Sequence, residues 1–282
     1  MHKYGLRFAM AGLSLISASA LAQTSSSSGF ALSVDQTITA PQVANVSVTV
    51  GPLAATSGSA PPNFNVSNSV AAVNQTFALT SGLVGTSEQL QTGLLTSNST
   101  GTSTGSSATA TVNNLSVGIG PTTVLTPFLA SILGITATTV QSTSTASVGG
   151  LTGSTVIEGF TLTGAALGGF SFDAALLINP APNTVLFMNA LLGLTITLNE
   201  QIISGNSITT NAIHVTFNDF LLADGGLKDG DIIVSSTTAA FTAGQTGAVP
   251  EPATWAMMLI GFGAMGVSLR RQRQKQSARQ VA

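Results

Sequence analysis

The sequence predicts an all-β body, a β-sandwich or an irregular barrel, set between two terminal segments of different composition. Three observations lead there. Val, Ile, Leu and Ala alternate with Ser, Thr, Asn and Gln at a period of two, the pattern of strands with one buried face. Turn-forming residues punctuate those runs at Gly51-Pro52, Ala60-Pro61-Pro62, Gly120-Pro121, Asn179-Pro180-Ala181-Pro182 and Gly225-Gly226. Only 6% of the 282 residues are charged, but 44% are hydrophobic, so the chain has the apolar material for a core.

The strand-like runs are Val43–Val50, Ser107–Val117, Ile135–Val148, Thr155–Thr163, Phe170–Ile178, Leu194–Ile203, Ile208–Phe217 and Asp231–Phe241. Leu194, Ile196 and Leu198 alternate with Thr195, Thr197 and Asn199, and Ser204-Gly205-Asn206 supplies a turn into the returning run from Ile208. Thr96–Ser107 is a low-complexity Ser/Thr/Gly stretch that composition assigns to a surface loop. Pro127–Leu133 suits one or two helical turns. No fixed-period repeat is present, which argues against a solenoid. One domain, residues 30–242, is expected, with a flexible N-terminus at 23–29 and a linker at 243–249.

Charge placement excludes one class of partner. Between Gln23 and Val249 nine acids stand against a single base, Lys228, leaving a net charge of −8. A body with one lysine and no arginine cannot neutralise a row of phosphates, so nucleic acid is excluded as a partner. The chain has no cysteine, which removes thiol catalysis and thiolate metal sites.

The first 22 residues have the form of a cleaved signal peptide. Lys3 and Arg7 make a charged start, Phe8–Ile16 an apolar run, and Ala20 and Ala22 the small residues before a cleavage site at Gln23. The other end has three parts in order. Pro250-Glu251-Pro252 disfavours helix before each proline. Ala253–Leu269 follows, 17 residues without charge. As a helix it would span roughly 25 Å at about 1.5 Å per residue, a little under a hydrocarbon core of about 30 Å. Trp255 stands at its entrance, and Arg270, Arg271, Arg273, Lys275 and Arg279 follow in the basic tail 270–282, a cytoplasmic signal by the positive-inside rule. A transmembrane helix at 253–269 is therefore expected within a terminal segment 250–282.

Pro250-Glu251-Pro252, Trp255-Ala256-Met257-Met258, Gly261-Phe262-Gly263 and Arg270-Arg271 together resemble the PEPxxWA subtype of PEP-CTERM sorting domains. The resemblance implies an exosortase as partner and processing near the Pro-Glu-Pro. It also implies a precursor inserted in the inner membrane, then release to the cell surface or extracellular matrix of a Gram-negative bacterium. Within the body, Asn183-Thr184-Val185, Leu198-Asn199-Glu200-Gln201, Gly205-Asn206 and Asn211-Ala212-Ile213-His214-Val215 resemble the choice-of-anchor P family of exported proteins. That family carries one kind of ectodomain on differing C-terminal anchors.

Catalytic signals are sparse. His214 is the one histidine left after signal removal, and its setting beside Thr and Val on a strand reads as a hydrogen-bonded structural residue. Glu158, Asp173 and Glu200 are too dispersed to nominate as a carboxylate pair, and no Gly-x-Ser-x-Gly elbow is present. Asp219, Asp224, Asp229 and Asp231 cluster around Gly225-Gly226 and Gly230 and form a weak calcium candidate, but their spacing fits no calcium-loop pattern and favours a polar turn. No catalytic residue and no cofactor are assigned. The expected function is a non-enzymatic envelope or matrix protein, structural or adhesive and linked to extracellular polysaccharide. The alternative is a secreted carbohydrate-active enzyme or carbohydrate-binding module.

Overall fold

A computed structural model of the chain describes residues 23–39, 45–81, 84–123, 131–172, 177, 179–244 and 252–278. Residues 23–243 form one compact unit. The strands in order are β1 (Thr24–Thr39), β2 (Val46–Leu53), β3 (Thr56–Ala60), β4 (Phe64–Val70), β5 (Val73–Ser81), β6 (Val84–Thr92), β7 (Leu95–Thr102) and β8 (Gly105–Thr123). They continue with β9 (Leu133–Ser147), β10 (Gly150–Glu158), β11 (Thr161–Thr163), β12 (Thr184–Asn189), β13 (Leu194–Ser204), β14 (Ser207–Leu221) and β15 (Leu227–Thr242). A separate helix, α1, spans Pro252–Ala278.

The described strands form two antiparallel sheets. The first has the order β12-β13-β14-β15-β1-β2, with β3 also paired to β1. The second has the order β10-β9-β8-β6-β5, with β7 joining β8 to β4 and β11 on β9. Aliphatic side chains of both sheets share one core, including Leu32 and Val34 of β1, Ile196 and Leu198 of β13, and Leu115, Val117 and Ile135 of the second sheet. Face-to-face packing of this kind is the sandwich member of the expected pair.

Six strands change phase in mid-course. Along β1 the buried positions run Ser25, Ser27, Gly29, Ala31, and then Leu32, Val34, Gln36, Ile38. The inward set likewise switches between odd and even numbers at Ala212/Ile213 in β14 and at Val234/Ser235 in β15. In β13 it breaks at Leu198/Asn199. These breaks lie side by side, because the ladders skip the same row in each pair. The second sheet has its own break where β8 and β9 skip Asn114 and Thr138. Asn114, Asn199 and Ser235 have φ of 49°, 49° and 57°, left-handed values that rotate the following residues to the other face. Asparagine reaches that region at less cost than a branched residue.

The row of breaks divides the interior. On one side Leu, Ile, Val and Phe fill the space. On the other, small hydroxyl side chains bond across the gap between the sheets. Ser144 Oγ lies 2.9 Å from Thr210 Oγ1 and 2.9 Å from the Thr237 carbonyl, to which it donates. Ser235 Oγ donates to the Ala110 carbonyl at 2.7 Å and accepts from the Ser142 amide at 2.8 Å. Thr56 Oγ1 meets Ser97 Oγ at 2.7 Å and Ser99 Oγ at 2.8 Å. The sheets approach closely here: a Cβ on Gly29 would stand 2.9 Å from Ser97 Oγ.

Two sequence-based expectations are corrected by this half of the core. Residues 24–29, expected as a flexible terminus, pair with β15 and with β3. Ser25 and Ser27 donate to the carbonyls of Thr102 and Thr100 in the opposite sheet. Thr96–Ser107, expected as a surface loop, forms most of β7 and the start of β8, with Ser97, Ser99 and Ser106 buried. Composition misleads in both places because a serine is buried only when the other sheet offers it a partner. Phe170–Phe172, expected in a strand, follows a 3-10 turn at Ala165–Leu167 and two left-handed glycines, Gly168 and Gly169, and is not a strand. Of the expected helical turn, residues 127–130 lie outside the described residues, and Leu133 opens β9.

Replacing Ser144 with alanine removes the shared partner of Thr210 and Thr237 in a dry interior. A loss of about 1–3 kcal/mol in urea-unfolding free energy is expected. A change within a few tenths would mean that these hydroxyls find other partners.

Candidate functional site

Among the described residues, ion pairs of the body form in two places. On the face of the first sheet turned away from the core, His214 of β14 stands between β13 and β15. Its Nδ1 is 2.8 Å from Glu200 Oε2, and its Nε2 is 2.9 Å from Asp231 Oδ1. Asn211 Nδ2 donates to Glu200 Oε2 at 2.7 Å. The strand break places Asn211 and His214 on neighbouring rows, so both reach the same carboxylate. With a carboxylate at each ring nitrogen, the imidazolium is the favoured form.

The hydrogen bond with Glu200 raises the His214 pKa above its ordinary value, against partial burial, with Asp231 adding to the rise. The same bond lowers the pKa of Glu200, again against burial. Both ring nitrogens are engaged, so His214 presents no free lone pair to a substrate. The arrangement holds a cation between three strands.

The second place is internal. Lys228 of β15, the single base between Gln23 and Val249, is 1% exposed. Its Nζ donates to Glu88 Oε2 at 2.7 Å, from β6 of the opposite sheet. The other oxygen, Glu88 Oε1, is 3.4 Å from Gln36 Nε2 of β1. Gln36 Oε1 is buried without a hydrogen-bond partner. Lys228 Nζ also sits 4.4 Å from the centre of the Phe217 ring. Burial lowers the Lys228 pKa, and Glu88 opposes the shift.

The four aspartates of the calcium candidate do not converge. Asp231 faces His214, and Asp229 Oδ1 accepts from the Asp219 amide at 2.9 Å. Asp224 Oδ1 accepts from Thr86 Oγ1 and from the Gly226 amide. Among the described residues no group of three or more His, Cys, Asp or Glu side chains is placed to hold a metal ion. Glu158 closes β10 in the other sheet, exposed and paired with Thr139 of β9. Asp173 lies outside the described residues.

The outer face of the second sheet is nearly free of charge: Glu158, at the end of β10 opposite Thr139, is exposed there, and the rows beyond it are neutral. Three cross-strand rows there read Asn65-Thr100-Ser107-Thr145-Thr152, Ser67-Asn98-Thr109-Thr143-Ser154 and Ser69-Thr96-Thr111-Gln141-Val156. A groove of about 400 Å³ runs over β7, bordered by Ser67, Ser69, Thr96, Asn98, Thr109 and Thr111. Side chains on this face already bond one another, within a row as in Gln141 Nε2 to Thr111 Oγ1 at 3.0 Å and between rows as in Asn98 Nδ2 to Asn65 Oδ1 at 3.0 Å. Sequence reasoning missed this face because it emerges only when five strands are laid in register. It also missed the Lys228 cluster. The available signal was that Lys228 shares even numbering with the apolar Ile232 and Val234.

At the ends of the chain, the signal-peptide residues Ala20 and Ala22 lie outside the described residues, as do Pro250 and Glu251. Gln23 immediately precedes β1. The expected transmembrane segment, 253–269, falls inside α1. Among the described residues, however, no helix is long and apolar enough to cross a membrane. The helix runs on through Arg270, Arg271 and Arg273 to Ala278, so the basic cluster is helical rather than a tail beyond the helix. Met257–Arg271 is exposed along its whole length.

Comparison with protein families finds a PEP-CTERM protein-sorting motif over residues 248–273. No curated protein and no solved structure matches the chain. The motif covers the tail alone. It implies an exported protein that an exosortase recognises and that is anchored or processed at the membrane.

The His214 cluster sets a pH dependence whose sign follows from the two shifts. His214, with its pKa raised, stabilises the fold fully below its ordinary 6.5, and the contribution fades as pH climbs through the raised folded value. Glu200, with its pKa lowered, contributes above its ordinary 4.5 and stops contributing as pH falls through the lowered folded value. The difference in unfolding free energy between the wild type and His214→Gln should therefore peak between 4.5 and 6.5. It should reach about 1.5 kcal/mol, low for charged hydrogen bonds because the cluster is partly in water. A difference that grows toward alkaline pH would contradict the assignment.

The aspartate geometry predicts no calcium response. Melting curves in chelator and in millimolar calcium should coincide, and an upward shift with calcium would reveal a site by mass action.

Proposed function

We propose that this exported, exosortase-sorted chain is a non-enzymatic surface or matrix protein that adheres to neutral extracellular polysaccharide. The observation that carries the reading is the block of three uncharged cross-strand rows on the outer face of the second sheet, with its groove of Ser, Thr and Asn side chains. Hydroxyl and amide groups there offer donors and acceptors to a polyhydroxylated chain. The body around them has nine acids and one base, which disfavours anionic polymers. Cross-strand bonds within the rows hold the side chains in place before any ligand arrives, which lowers the ordering cost of binding.

In this reading the tail takes the body to the envelope. The tail is engaged at the membrane, the exosortase cuts near Pro250-Glu251-Pro252, and the body is released to the cell surface. The resemblance of the Asn183–Val215 region to choice-of-anchor P ectodomains is consistent with a body that functions independently of its anchor. The engaged ring nitrogens of His214 favour binding over hydrolysis.

Two outcomes are expected. Replacing Pro250-Glu251-Pro252 with alanines should accumulate a longer, membrane-associated precursor. Intact-mass analysis of the native surface protein should find the residues after the Pro-Glu-Pro missing, and a product still carrying Trp255 and Arg270–Arg273 would make the tail a plain anchor. In co-sedimentation, the purified body should bind insoluble neutral polysaccharide with little sensitivity to salt. Thr109→Lys with Thr143→Lys, at the centre of the face, should weaken binding about tenfold, equivalent to about 1.4 kcal/mol. Equal binding by the double variant would remove this face from the reading.

A further inference from the structure

The Lys228 cluster has a composition that salt bridging alone does not explain. A buried ion pair is costly to desolvate, and apolar residues of similar volume serve stability as well or better. Here the only lysine or arginine between Gln23 and Val249 is placed in the interior, against an aromatic ring and a carboxylate from the opposite sheet. The same carboxylate holds a side-chain amide on its other oxygen. Gln36 and Lys228 are diagonal neighbours on adjacent strands, since Gln36 pairs with Gly230 and Ile38 with Lys228, and both point inward. An amine, a carboxylate and an amide with an unpartnered carbonyl oxygen are thus enclosed together without water-exposed competitors.

We propose that Lys228 and Gln36 form an intramolecular isopeptide bond, with Glu88 carrying the protons. Glu88 takes one proton from the Lys228 ammonium, leaving a neutral amine. Nζ attacks Cδ of Gln36, forming the new C–N bond. Glu88 passes its proton to Nε2, to which its Oε1 is already directed, and the Cδ–Nε2 bond breaks to release ammonia. Nζ returns its surplus proton to Glu88, which ends as a neutral acid. No oxidant or reductant is needed, and the two buried charges disappear in the product.

Three features of the cluster favour this course. Burial already pushes the Lys228 pKa down, toward the neutral amine that the attack requires. Rotation of the Gln36 amide presents its orphaned Oε1 to the Glu88 O–H, a donor that exists only once Lys228 has given up a proton. Holding amine and amide on one carboxylate supplies the proximity that an unactivated amide lacks in water. The bond would join the first and last strands of the body, β1 and β15, across the ladder that already pairs them.

Mass and proteolysis test the bond together. Lys228 is the one trypsin site between Gln23 and Val249, so the denatured wild-type body should resist cleavage there. Its intact mass should fall below the sequence mass by one ammonia, and fragmentation should find the β1 and β15 peptides joined at Gln36 and Lys228. Cyclisation of Gln23 at a new N-terminus also loses one ammonia, so loss of that mass with free cleavage after Lys228 overturns the proposal. Glu88→Gln should restore the sequence mass and the cleavage. Should that variant fail to fold, the wild-type protein alone decides. A wild-type chain of full sequence mass overturns the bond. Loss of one water with Lys228 joined to Glu88 overturns the assignment of Gln36 as the acyl group.

Discussion

The structure depends on the row of phase changes that crosses the first sheet at Ala31, Asn199, Ala212 and Ser235, with its counterpart at Asn114 and Thr138 in the second. A strand keeps one set of alternate residues inward for its whole length unless something rotates it. Here β13, β14, β15 and β1 are rotated in one row of the first sheet, and β8 and β9 at a row of their own in the second. Odd-numbered serines at the start of β1 and even-numbered aliphatics at its end can then face the same interior. Without the rotation, either Leu32, Val34 and Ile38 or Ser25 and Ser27 would point to water. Ser235 is both a pivot and a bridge, because its hydroxyl reaches Ala110 and Ser142 in the facing sheet.

That division explains how a body poor in charge and rich in serine folds at all. Aliphatic burial supplies the driving force in one half, at roughly 25 cal/mol per Å² of apolar surface. In the other half the sheets are held by hydroxyl bonds whose net worth is about 1 kcal/mol each. Their loss costs more than their presence contributes, because an unpaired hydroxyl in a dry gap has no water to turn to. The small side chains also bring the sheets close, which leaves no room for replacement by Val or Leu. Glycines complete the fit. Phe64 of β4 lies over Gly58 and Gly101, where any Cβ would collide with its ring and push β3, β4 and β7 apart.

Charge is placed as selectively as hydroxyl. The single Lys or Arg of the body is interior, the single histidine is held by two carboxylates, and three cross-strand rows on the outer face of the second sheet carry no charge. In the proposed role, a face of Ser, Thr, Asn and Gln would bind by many weak, neutral contacts with little sensitivity to ionic strength. The PEP-CTERM motif gives that body its route.

Local pattern alone was enough for the all-β class, for the hairpin of β13 and β14 around Ser204-Gly205-Asn206, and for the sorting motif. Each of these depends on residues close in sequence: a period of two, a turn, a short linear signal. Tertiary structure decided everything that depends on the opposite sheet. The fates of Ser25, Ser27, Ser97 and Ser99 were illegible because a hydroxyl is loop-like or core-like according to the partner across the gap. Asp231 reads locally as part of an acidic turn, yet pairing β14 with β15 delivers it to His214. Lys228 and Glu88 are separated by 140 positions, and no periodicity in either strand announces the other. Alternation states which side of a strand is inward. Only the packed sheets state what waits there.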